Sequence, residues 1–534
     1  MLPDIPYKNG ATKIPVGQFG GLERRIGAGN GTICDMRNLS GNNIPVLSSR
    51  EKRYKLTDVT RPNGIWGNSY HLIYVDGETL YKDGTAFVSN LPSGLDATRQ
   101  FAAMGNRLLI WPDKILVDIE GDGTKQNLEH DVGASCTFIN GTLDGVTAPG
   151  NTIQAPNGFD WSDSFRVGDA VTISGAANAE NNKTSIVREI DGRNLRFDVN
   201  CFTVNTTAKQ IVVKREVPDL DGICVNDNRV WGFSGDTIWA SKLGDPFNWY
   251  DFQGISTSSF SVETGTAGSI NACISFMGYP CFFKEDRVFK VYGSRPSNFE
   301  VMGSATLGVM QYAAQSLAVA GETLYYLSRA GFVRYNGGYP SVIDQALDQK
   351  YVAAVAGSDG RKYYVSAIRN DNEECEFLVF DPDTGQWFLE DDTAYSFGFG
   401  YFQGYLCGMT DGYIQTVNGW PYMWVDPDDS GIEADFESGV AFADFDLQTF
   451  GSKYPVRLWL RYESENALQV KISYDGGTME SVTALAAGDK QTKYMPVPIR
   501  RCDRFRIRID TIGAWKLYAM EIETRAQTTS RRGG

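Results

Sequence analysis

Short runs of apolar residues alternate with polar turns along most of the chain, which is the pattern of β-strands. Runs of four to six residues end in turns rich in Gly, Asn and Asp. Residues 72–75 and 79–81, for example, are each followed within two residues by an Asp-Gly pair, which suits a tight hairpin turn. A 3.6-residue period is almost absent, and the best helix candidate, 341–355, has a poor pattern. The sequence therefore predicts an all-β protein.

The strand-and-turn pattern recurs in seven units of similar length. These units are residues 64–91, 100–128, 219–252, 270–302, 316–344, 351–391 and 394–419. Repeats of about 40–45 residues built from four strands are typical of β-propeller blades. Without an insert at 134–216, residues 60–429 supply 41 residues for each of seven blades. The prediction is a β-propeller of about seven blades, with six or eight blades and a set of stacked sandwiches as the alternatives.

Two further regions differ from the repeats. In the insert, a strand follows Gly168-Asp169 and a turn is expected at Asn181-Asn182, which suggests a small β-barrel hung from a propeller loop. After a turn-rich linker, strands near 456–462, 468–474 and 504–509 alternate cleanly, as in a β-sandwich. The predicted domains are an N-terminal arm (1–60), first propeller blades (61–133), an inserted β-barrel (134–216), remaining blades (217–429), a β-sandwich (430–524) and a flexible tail (525–534).

Charge is distributed unevenly over the 534 residues. The chain has 50 basic and 65 acidic side chains, a net charge of −15. Residues 1–214 carry a net −1, residues 215–429 a net −15 and residues 430–534 a net +1. Such a balance argues against a surface that grips nucleic acid through its phosphates. The excess is either ordinary solubility charge on loops or a surface that repels a polyanion, and we expect the later blades to help line any DNA channel.

The composition also limits the cellular setting. No run of about 18 apolar residues occurs, and the N-terminus lacks the apolar segment of a secretory signal. The nine cysteines are scattered without a C-x-x-C pair, which is typical of buried, reduced thiols in a protein folded in cytoplasm. A zinc site would require pairing of distant cysteines.

Motifs for catalysis are scarce. The two histidines, His71 and His130, lie 59 positions apart, and neither a G-x-S-x-G elbow nor a phosphate-binding P-loop occurs. Carboxylate pairs of the glycosidase kind remain possible because such residues converge only in the fold. We predict no catalytic residue, no cofactor and no metal site.

Two acidic turns deserve separate interpretation. Residues 473–478 resemble the Asp-box of sialidase-like propellers, but Met479 stands where that motif has Trp, and a hairpin is favoured. Residues 118–129 place Asp118, Gly123 and Glu129 at positions one, six and twelve of a calcium loop, without flanking helices. A hairpin turn is again favoured over a calcium site.

Two groups of side chains are candidates for binding. A basic stripe is either a solvated face paired with acidic neighbours or a docking face toward an acidic subunit; it consists of Arg500, Arg501, Arg504, Arg506 and Arg508. The aromatic residues Trp239, Trp249 and Tyr250 either pack in the core or stack on sugars.

Several segments resemble tail hub or nozzle proteins of short-tailed bacteriophages. Residues 34–39, Cys-Asp-Met-Arg-Asn-Leu, resemble the opening of those proteins, and residues 239–249 match their W-x-S-x-x-G-D-P-x-x-W segment. The insert's 165–169 and the closing 501–505 with 515–518 are similar to stretches of phage structural proteins. The resemblance touches most of the chain through short motifs and names no catalytic residue.

The resemblance implies a structural virion protein. Such a protein multimerises into a ring, commonly of six copies, below the portal and adaptor and above a needle or fibre. It retains the packaged DNA and later forms a conduit for ejection, with DNA as a passing cargo, after being made in the host cytoplasm. The alternatives are a receptor- or glycan-binding propeller and a glycoside hydrolase.

Overall fold

The structure is a computed structural model that describes residues 11–27, 29, 31–391, 395–445 and 453–526. These residues form 46 strands and five short 3₁₀ turns, with no α-helix among them. The 3₁₀ turns are Trp161–Asp163, Ala179–Asn181, Pro296–Asn298, Ala314–Ser316 and Gln345–Leu347. The all-β class is therefore confirmed. The helix candidate at 341–355 is wrong, because a strand begins within it at Tyr351.

The chain divides into two compact units. One comprises Met1–Pro62, Gly67–Leu72 and Gln315–Gly534, and the other comprises Asn63–Trp66 and Ile73–Ala314. We call them the terminal unit and the central unit.

The central unit contains four sheets of four antiparallel strands in sequence order. Sheet 1 has strands Pro62–Gly67, Leu72–Asp76, Thr79–Lys82 and Thr85–Val88 and sheet 2 has Gln100–Met104, Arg107–Trp111, Ile115–Asp118 and Lys125–Asn127. Sheet 3 has Gly222–Asn226, Arg229–Ser234, Thr237–Ala240 and Phe260–Glu263 and sheet 4 has Ala272–Phe276, Tyr279–Phe283, Arg287–Tyr292 and Glu300–Ala305. Separate apolar cores fill the spaces between sheets 1 and 2, 2 and 3, and 3 and 4.

The inserted sheet lies between sheets 2 and 3 in the chain. Its seven strands are His130–Leu143, Val146–Gln154, Ala170–Ser174, Thr184–Ile186, Glu189–Asp191, Asn194–Arg196 and Asn205–Arg215. The sheet has its own core around Trp161, Phe165 and Phe197. Its two edge strands, Thr184–Ile186 and Glu189–Asp191, are separated by only two residues. A connection this short requires the sheet to curl until its edges approach.

The terminal unit contains three more four-stranded sheets. Sheet 5 has strands Ala318–Ala320, Thr323–Ser328, Gly331–Tyr335 and Ser341–Val342 and sheet 6 has Tyr351–Ser358, Tyr363–Arg369, Cys375–Asp381 and Gln386–Asp391. Sheet 7 has Ser396–Phe402, Tyr405–Thr410 and Tyr413–Thr416, and its fourth strand is Lys55–Asp58 from the N-terminal region. The last sheet is thus completed by residues that precede the first sheet in sequence.

The remaining strands of the terminal unit form two larger sheets. Terminal sheet A contains Thr12–Val16, Leu39–Ser40, Leu47–Ser49, Lys453–Ser464, Gly488–Pro496 and Trp515–Ala526. Terminal sheet B contains Ile33–Arg37, Glu437–Phe442, Leu468–Tyr474, Glu480–Leu485 and Phe505–Ile512. Phe505, Ile507 and Ile509 are at most 2% exposed, which confirms the buried face predicted from alternation.

The segment predicted as an N-terminal arm is built into other sheets. Thr12–Val16 pairs with Trp515–Ala526, Ile33–Arg37 pairs with Glu437–Phe442, and Leu47–Ser49 also pairs with Trp515–Ala526. Such long-range pairing leaves no signal in local sequence patterns. The tail prediction for 525–534 lies outside the described residues, except at Arg525 and Ala526.

Candidate functional site

The G-D-P-x-x-W segment joins the inserted sheet to sheet 3. Asp169, which precedes an inserted strand, accepts hydrogen bonds from Arg215 (2.8 Å) and from the Asn248 amide (3.1 Å). The Oδ1 atom of the same Asn248 side chain accepts from the backbone N–H of Ala170 at 2.8 Å. Asp169, Arg215 and Asn248 are all buried, so each polar group depends on the others for its partners. We call these three residues the insert joint.

Aromatic packing extends the insert joint. The Phe247 ring lies 5.0 Å from both the Arg166 and Arg215 guanidinium groups. Trp249 is fully buried, donates from Nε1 to the Pro246 carbonyl at 2.9 Å and packs in the core between sheets 2 and 3. The segment that resembles a phage tail motif therefore holds two sheets in a fixed arrangement.

The suggestion that sugars stack on the aromatic residues of this segment is wrong for Trp249. Its ring is enclosed on all sides and offers no face to a ligand. Trp239 and Tyr250 are half-buried against the same core, with their ring centroids 5.4 Å apart. Burial, together with the charges of Glu216, Asp219 and Glu129, raises the pKa of Tyr250.

The predicted basic stripe is largely neutralised within the chain. Arg500 pairs with Glu480 at 2.6 Å, and Arg508 pairs with Asp35 and Asp510 at 2.9 and 2.7 Å. Asp444 lies 3.4 Å from Arg504 and 3.1 Å from Arg506. Arg501 is exposed. Four of the five arginines thus have acidic partners within the chain, although Asp503 is not among the ion-pair partners found in the described residues. The docking face toward another subunit stays a prediction.

The two acidic turns are hairpins in the structure. Strands Ile115–Asp118 and Lys125–Asn127 pair directly, and Glu129 binds Lys114 and Lys214 at 3.1 and 3.2 Å. Burial raises the pKa of Glu129, but the hydrogen bonds and charges of the two lysines outweigh it, so the pKa is lowered. No group of three or more His, Cys, Asp or Glu side chains among the described residues could hold a metal ion.

The second turn, at 473–478, connects Leu468–Tyr474 with Glu480–Leu485. Asp475 has a positive φ of 51° and accepts hydrogen bonds from the backbone N–H groups of Asp503 (2.7 Å) and Arg504 (2.9 Å). Its carboxylate therefore fastens the turn to the neighbouring strand.

Arginines of the N-terminal region bind acidic residues of sheet 6 and of the linker that follows sheet 7. Arg24 pairs with Glu376 at 2.7 Å, Arg53 pairs with Asp391, and Arg50 forms two bonds to Glu433 at 2.6 and 2.7 Å. We call these pairs the N-terminal anchor. Part of the acidic excess in 215–429 is therefore neutralised inside the terminal unit.

Sequence patterns indicate the N-terminal anchor only weakly. Arg50-Glu51-Lys52-Arg53 is a short charged run just before the first repeats, but its partners follow more than 320 positions later. Neither spacing nor composition identifies partners at such a separation.

The excess acidic charge is absent from the first strand of every four-stranded sheet. None of the seven first strands contains Asp, Glu, Lys, Arg or His. Within the central unit the first strand of sheet 3 contacts those of sheets 2 and 4, and within the terminal unit the first strand of sheet 6 contacts those of sheets 5 and 7. The acidic residues lie on turns and later strands, so the expected acidic lining does not come from the first strands.

Buried carboxyl groups are the remaining candidates for chemistry. Burial raises the pKa of Asp344 and of Glu390. Asp344 already accepts the Phe332 N–H at 2.8 Å, and it lies between the last strand of sheet 5 and the 3₁₀ turn Gln345–Leu347. His71 and His130 are both half-buried, and the His130 ring packs near Phe165. No helix in the described part of the chain has the length and apolarity needed to cross a membrane.

Comparisons with known proteins give no family. No protein-family model and no curated protein matches the chain. An exo-β-1,3-galactanase from Phanerochaete chrysosporium shares 12% identity over 56% of this chain and 95% of that one, with a TM-score of 0.22. PorZ, a surface component of the Porphyromonas gingivalis type-IX secretion system, shares 10% identity over 82% and 70%, with a TM-score of 0.26. Likenesses this weak indicate neither a shared fold nor a shared activity.

Proposed function

We propose that this protein is a structural virion component, a tail hub or nozzle of a tailed bacteriophage. The observation that carries the proposal is the insert joint. Polar and aromatic groups of the segment resembling the phage motif are committed to fixing two sheets together. A segment used in this way serves a rigid scaffold rather than a reaction. The charge balance of −15 suits a conduit from which DNA departs without sticking.

The finer architecture in this proposal is one seven-bladed propeller with an inserted β-barrel and a terminal β-sandwich. The seven four-stranded sheets support the blades, as do the contacts between the first strands of sheets 2 and 3, 3 and 4, 5 and 6, and 6 and 7. Only three residues, 59–61, separate the closing strand of sheet 7 from the first strand of sheet 1, which suits a closed ring of blades. The short link between the edges of the inserted sheet supports the barrel, and the two terminal sheets would form the sandwich.

In the virion, copies of the chain would form a ring below the portal and adaptor and above a needle or fibre. Electron microscopy of the purified protein and of its virion tests this directly. Rings of several copies, in solution or within the tail, are expected. Particles that remain monomeric and are missing from tails would refute the proposal.

A glycoside hydrolase is the alternative function, and buried carboxyl groups with raised pKa are the feature that would favour it. Hydrolysis needs a carboxyl group with a raised pKa beside an ionised one, on opposite sides of a bound sugar. Of the two described carboxyl groups with raised pKa, Asp344 is held by a backbone N–H, and the ionised form of buried Glu390 is favoured by the charges of Arg53, Lys362 and Arg50. These environments suit structural roles, so we retain the virion proposal.

A further inference from the structure

Three consecutive large apolar side chains are exposed in the linker after sheet 7. Tyr422 is 71% exposed, Met423 82% and Trp424 46%. No other run of three such residues is exposed in the described part of the chain. Contiguous exposed apolar side chains on a soluble protein mark sites of contact with other molecules. We define the linker surface as Tyr422, Met423 and Trp424 together with Asp426 and Asp428.

The linker surface is held in a fixed shape by the residues around it. Val425 is buried, and the backbone N–H groups of Trp424 and Val425 both donate to the Pro421 carbonyl, at 3.1 and 3.0 Å. The Trp424 ring packs edge-to-face against the Tyr54 ring, with the two centroids 6.1 Å apart. An ordered turn thus presents the exposed side chains, so docking on them requires little further ordering of the backbone.

Acidic residues border the apolar side chains of the linker surface. Asp426 and Asp428 are exposed, and neither forms an ion pair within the described residues. Their charges are therefore available to a partner. The linker surface fits a partner that offers apolar side chains together with cations, because complementary charges select the correct surface.

The same chain carries this combination just before strand Phe505–Ile512. Ile499 is 66% exposed in the same loop as Arg501, and Tyr494 is 68% exposed next to Lys493. Arg501 and Lys493 are exposed and have no ion-pair partner among the described residues. The loop 497–504 contains three arginines and one aspartate, so it remains basic. We define the basic surface as Lys493, Tyr494, Ile499 and Arg501.

The linker surface and the basic surface lie at opposite ends of terminal sheet B. Strand Phe505–Ile512 begins just after the loop that carries Arg501. Beyond its other end, Gly513 lines a cleft together with Trp420, whose ring centroid lies 6.3 Å from that of Tyr422. A strand of eight residues spans roughly 25 Å, so the two surfaces of one chain are too far apart to cover each other.

From these features we infer that the linker surface binds the basic surface of a second copy of this chain. The exposed apolar side chains of the two surfaces pack together, and the linker carboxylates face Arg501 and Lys493. A basic protein of another kind would cover the linker surface alone, whereas a second copy covers both surfaces.

This contact joins the chains head-to-tail, because each chain carries the two surfaces at opposite ends. Head-to-tail contacts generate rings when the rotation between neighbouring copies closes. The inference rests on the proposed ring and names the surfaces that join its subunits.

The test measures self-association of the full chain by sedimentation velocity. We expect wild-type assemblies larger than a monomer in about 0.1 M salt and weaker association in about 1 M salt, where exposed charges are screened. Arg501→Glu and Asp428→Arg should each weaken self-association by about tenfold or more, since each substitution places like charges opposite one another. Mixing the two variants should restore assembly, because each altered side chain can then face one of opposite charge.

Two control variants change exposed residues outside both surfaces. Arg361→Glu reverses the charge of a side chain that is 76% exposed, and Tyr339→Ala removes a ring from a residue that is 84% exposed. Both should assemble like wild type, whereas Tyr422→Ala should weaken assembly.

Three results would overturn the inference, and each is distinct from failure of the proposed function. The first is a wild-type chain that stays monomeric up to about 100 μM, a concentration at which even weak specific contacts are populated; microscopy of the tail still decides the proposed function. The second is assembly of Arg501→Glu and Asp428→Arg equal to that of wild type, which would mean that another surface joins the subunits of the ring. The third is a mixture of the two variants that remains monomeric although circular dichroism shows both folded.

Discussion

At the scale of single residues, buried charges are placed where separate parts of the chain meet. The insert joint buries Asp169 and Arg215 together, and the N-terminal anchor buries Arg50 and Arg53 beside acidic residues. Removing one partner of such a pair leaves the other charge buried without a counter-ion. The resulting loss of folding stability is far larger than the loss caused by breaking an exposed ion pair. The positions of these residues therefore determine which substitutions the protein tolerates.

Asp169→Asn is expected to destabilise the protein by about 3 kcal/mol, because Arg215 keeps its charge but loses its counter-ion. Asp198→Asn is the matched control, since Asp198 forms an ion pair with Arg188 but its side chain is 62% exposed. The control should change stability by about 1 kcal/mol or less. Urea denaturation of the two variants measures the difference, and equal effects would contradict the role given to the insert joint.

Glu433 should make stability depend on pH. Burial raises its pKa, but the hydrogen bonds and charge of Arg50 outweigh burial, so the pKa lies below the ordinary 4.5. A lowered pKa stabilises the fold above 4.5, and the contribution is lost as pH falls from 4.5 through the folded-state pKa. Glu433→Gln should therefore lower the unfolding temperature at pH 7, with a difference from wild type that shrinks toward pH 3.

The control for this pH dependence is the exposed Glu322→Gln, whose unfolding temperature should follow that of wild type at every pH. Thermal unfolding at intervals between pH 7 and pH 3 gives the comparison. A constant difference between Glu433→Gln and wild type would show that ionisation of Glu433 is not the source of its effect.

At the scale of elements, the short strand Lys55–Asp58 is important because it closes sheet 7. It pairs with Tyr413–Thr416 and completes sheet 7, although the two segments are about 350 residues apart in the chain. A four-residue edge strand contributes few hydrogen bonds, yet without it the strand Tyr413–Thr416 would become an unprotected sheet edge. The sequence pattern placed Tyr413–Thr416 in a predicted strand unit but left Lys55–Asp58 in the predicted N-terminal arm, and it carried no information about their pairing.

An engineered disulfide should verify this pairing. Asp58 lies opposite Tyr413, next to the hydrogen bond from the Val59 N–H to the Gly412 carbonyl at 2.9 Å. Asp58→Cys combined with Tyr413→Cys should crosslink on oxidation and stabilise the protein by about 3 kcal/mol, because the bond closes a very long loop. Mass spectrometry detects the bond, and reduction should reverse the gain. Failure to crosslink would contradict the register.

At the scale of the whole molecule, the acidic residues of 215–429 fall into two groups by location. Part of the acidic excess in 215–429 binds arginines of the N-terminal region, and the rest lies on turns and later strands. The first strands carry no charge at all. In the proposed conduit, a DNA-repelling surface would therefore come from turns and later strands rather than from the first strands of the sheets.

The whole chain should not bind duplex DNA at physiological salt. Its net charge of −15 opposes the phosphate contacts that supply non-specific affinity. Fluorescence anisotropy with a labelled duplex in 0.15 M salt should show no binding up to about 100 μM protein, the weak end of ordinary non-specific affinities. Saturable binding that weakens steeply with added salt would contradict the proposed conduit.

The sequence by itself determined the all-β class, the seven strand repeats, the insert and the alternating faces of the C-terminal strands. These features depend on local periodicity and turn residues, which act over a few positions. The tertiary structure decided which distant strands pair, that Trp249 is enclosed and that four of the five stripe arginines have acidic partners. Those outcomes depend on contacts between residues hundreds of positions apart, and local patterns carry no record of them.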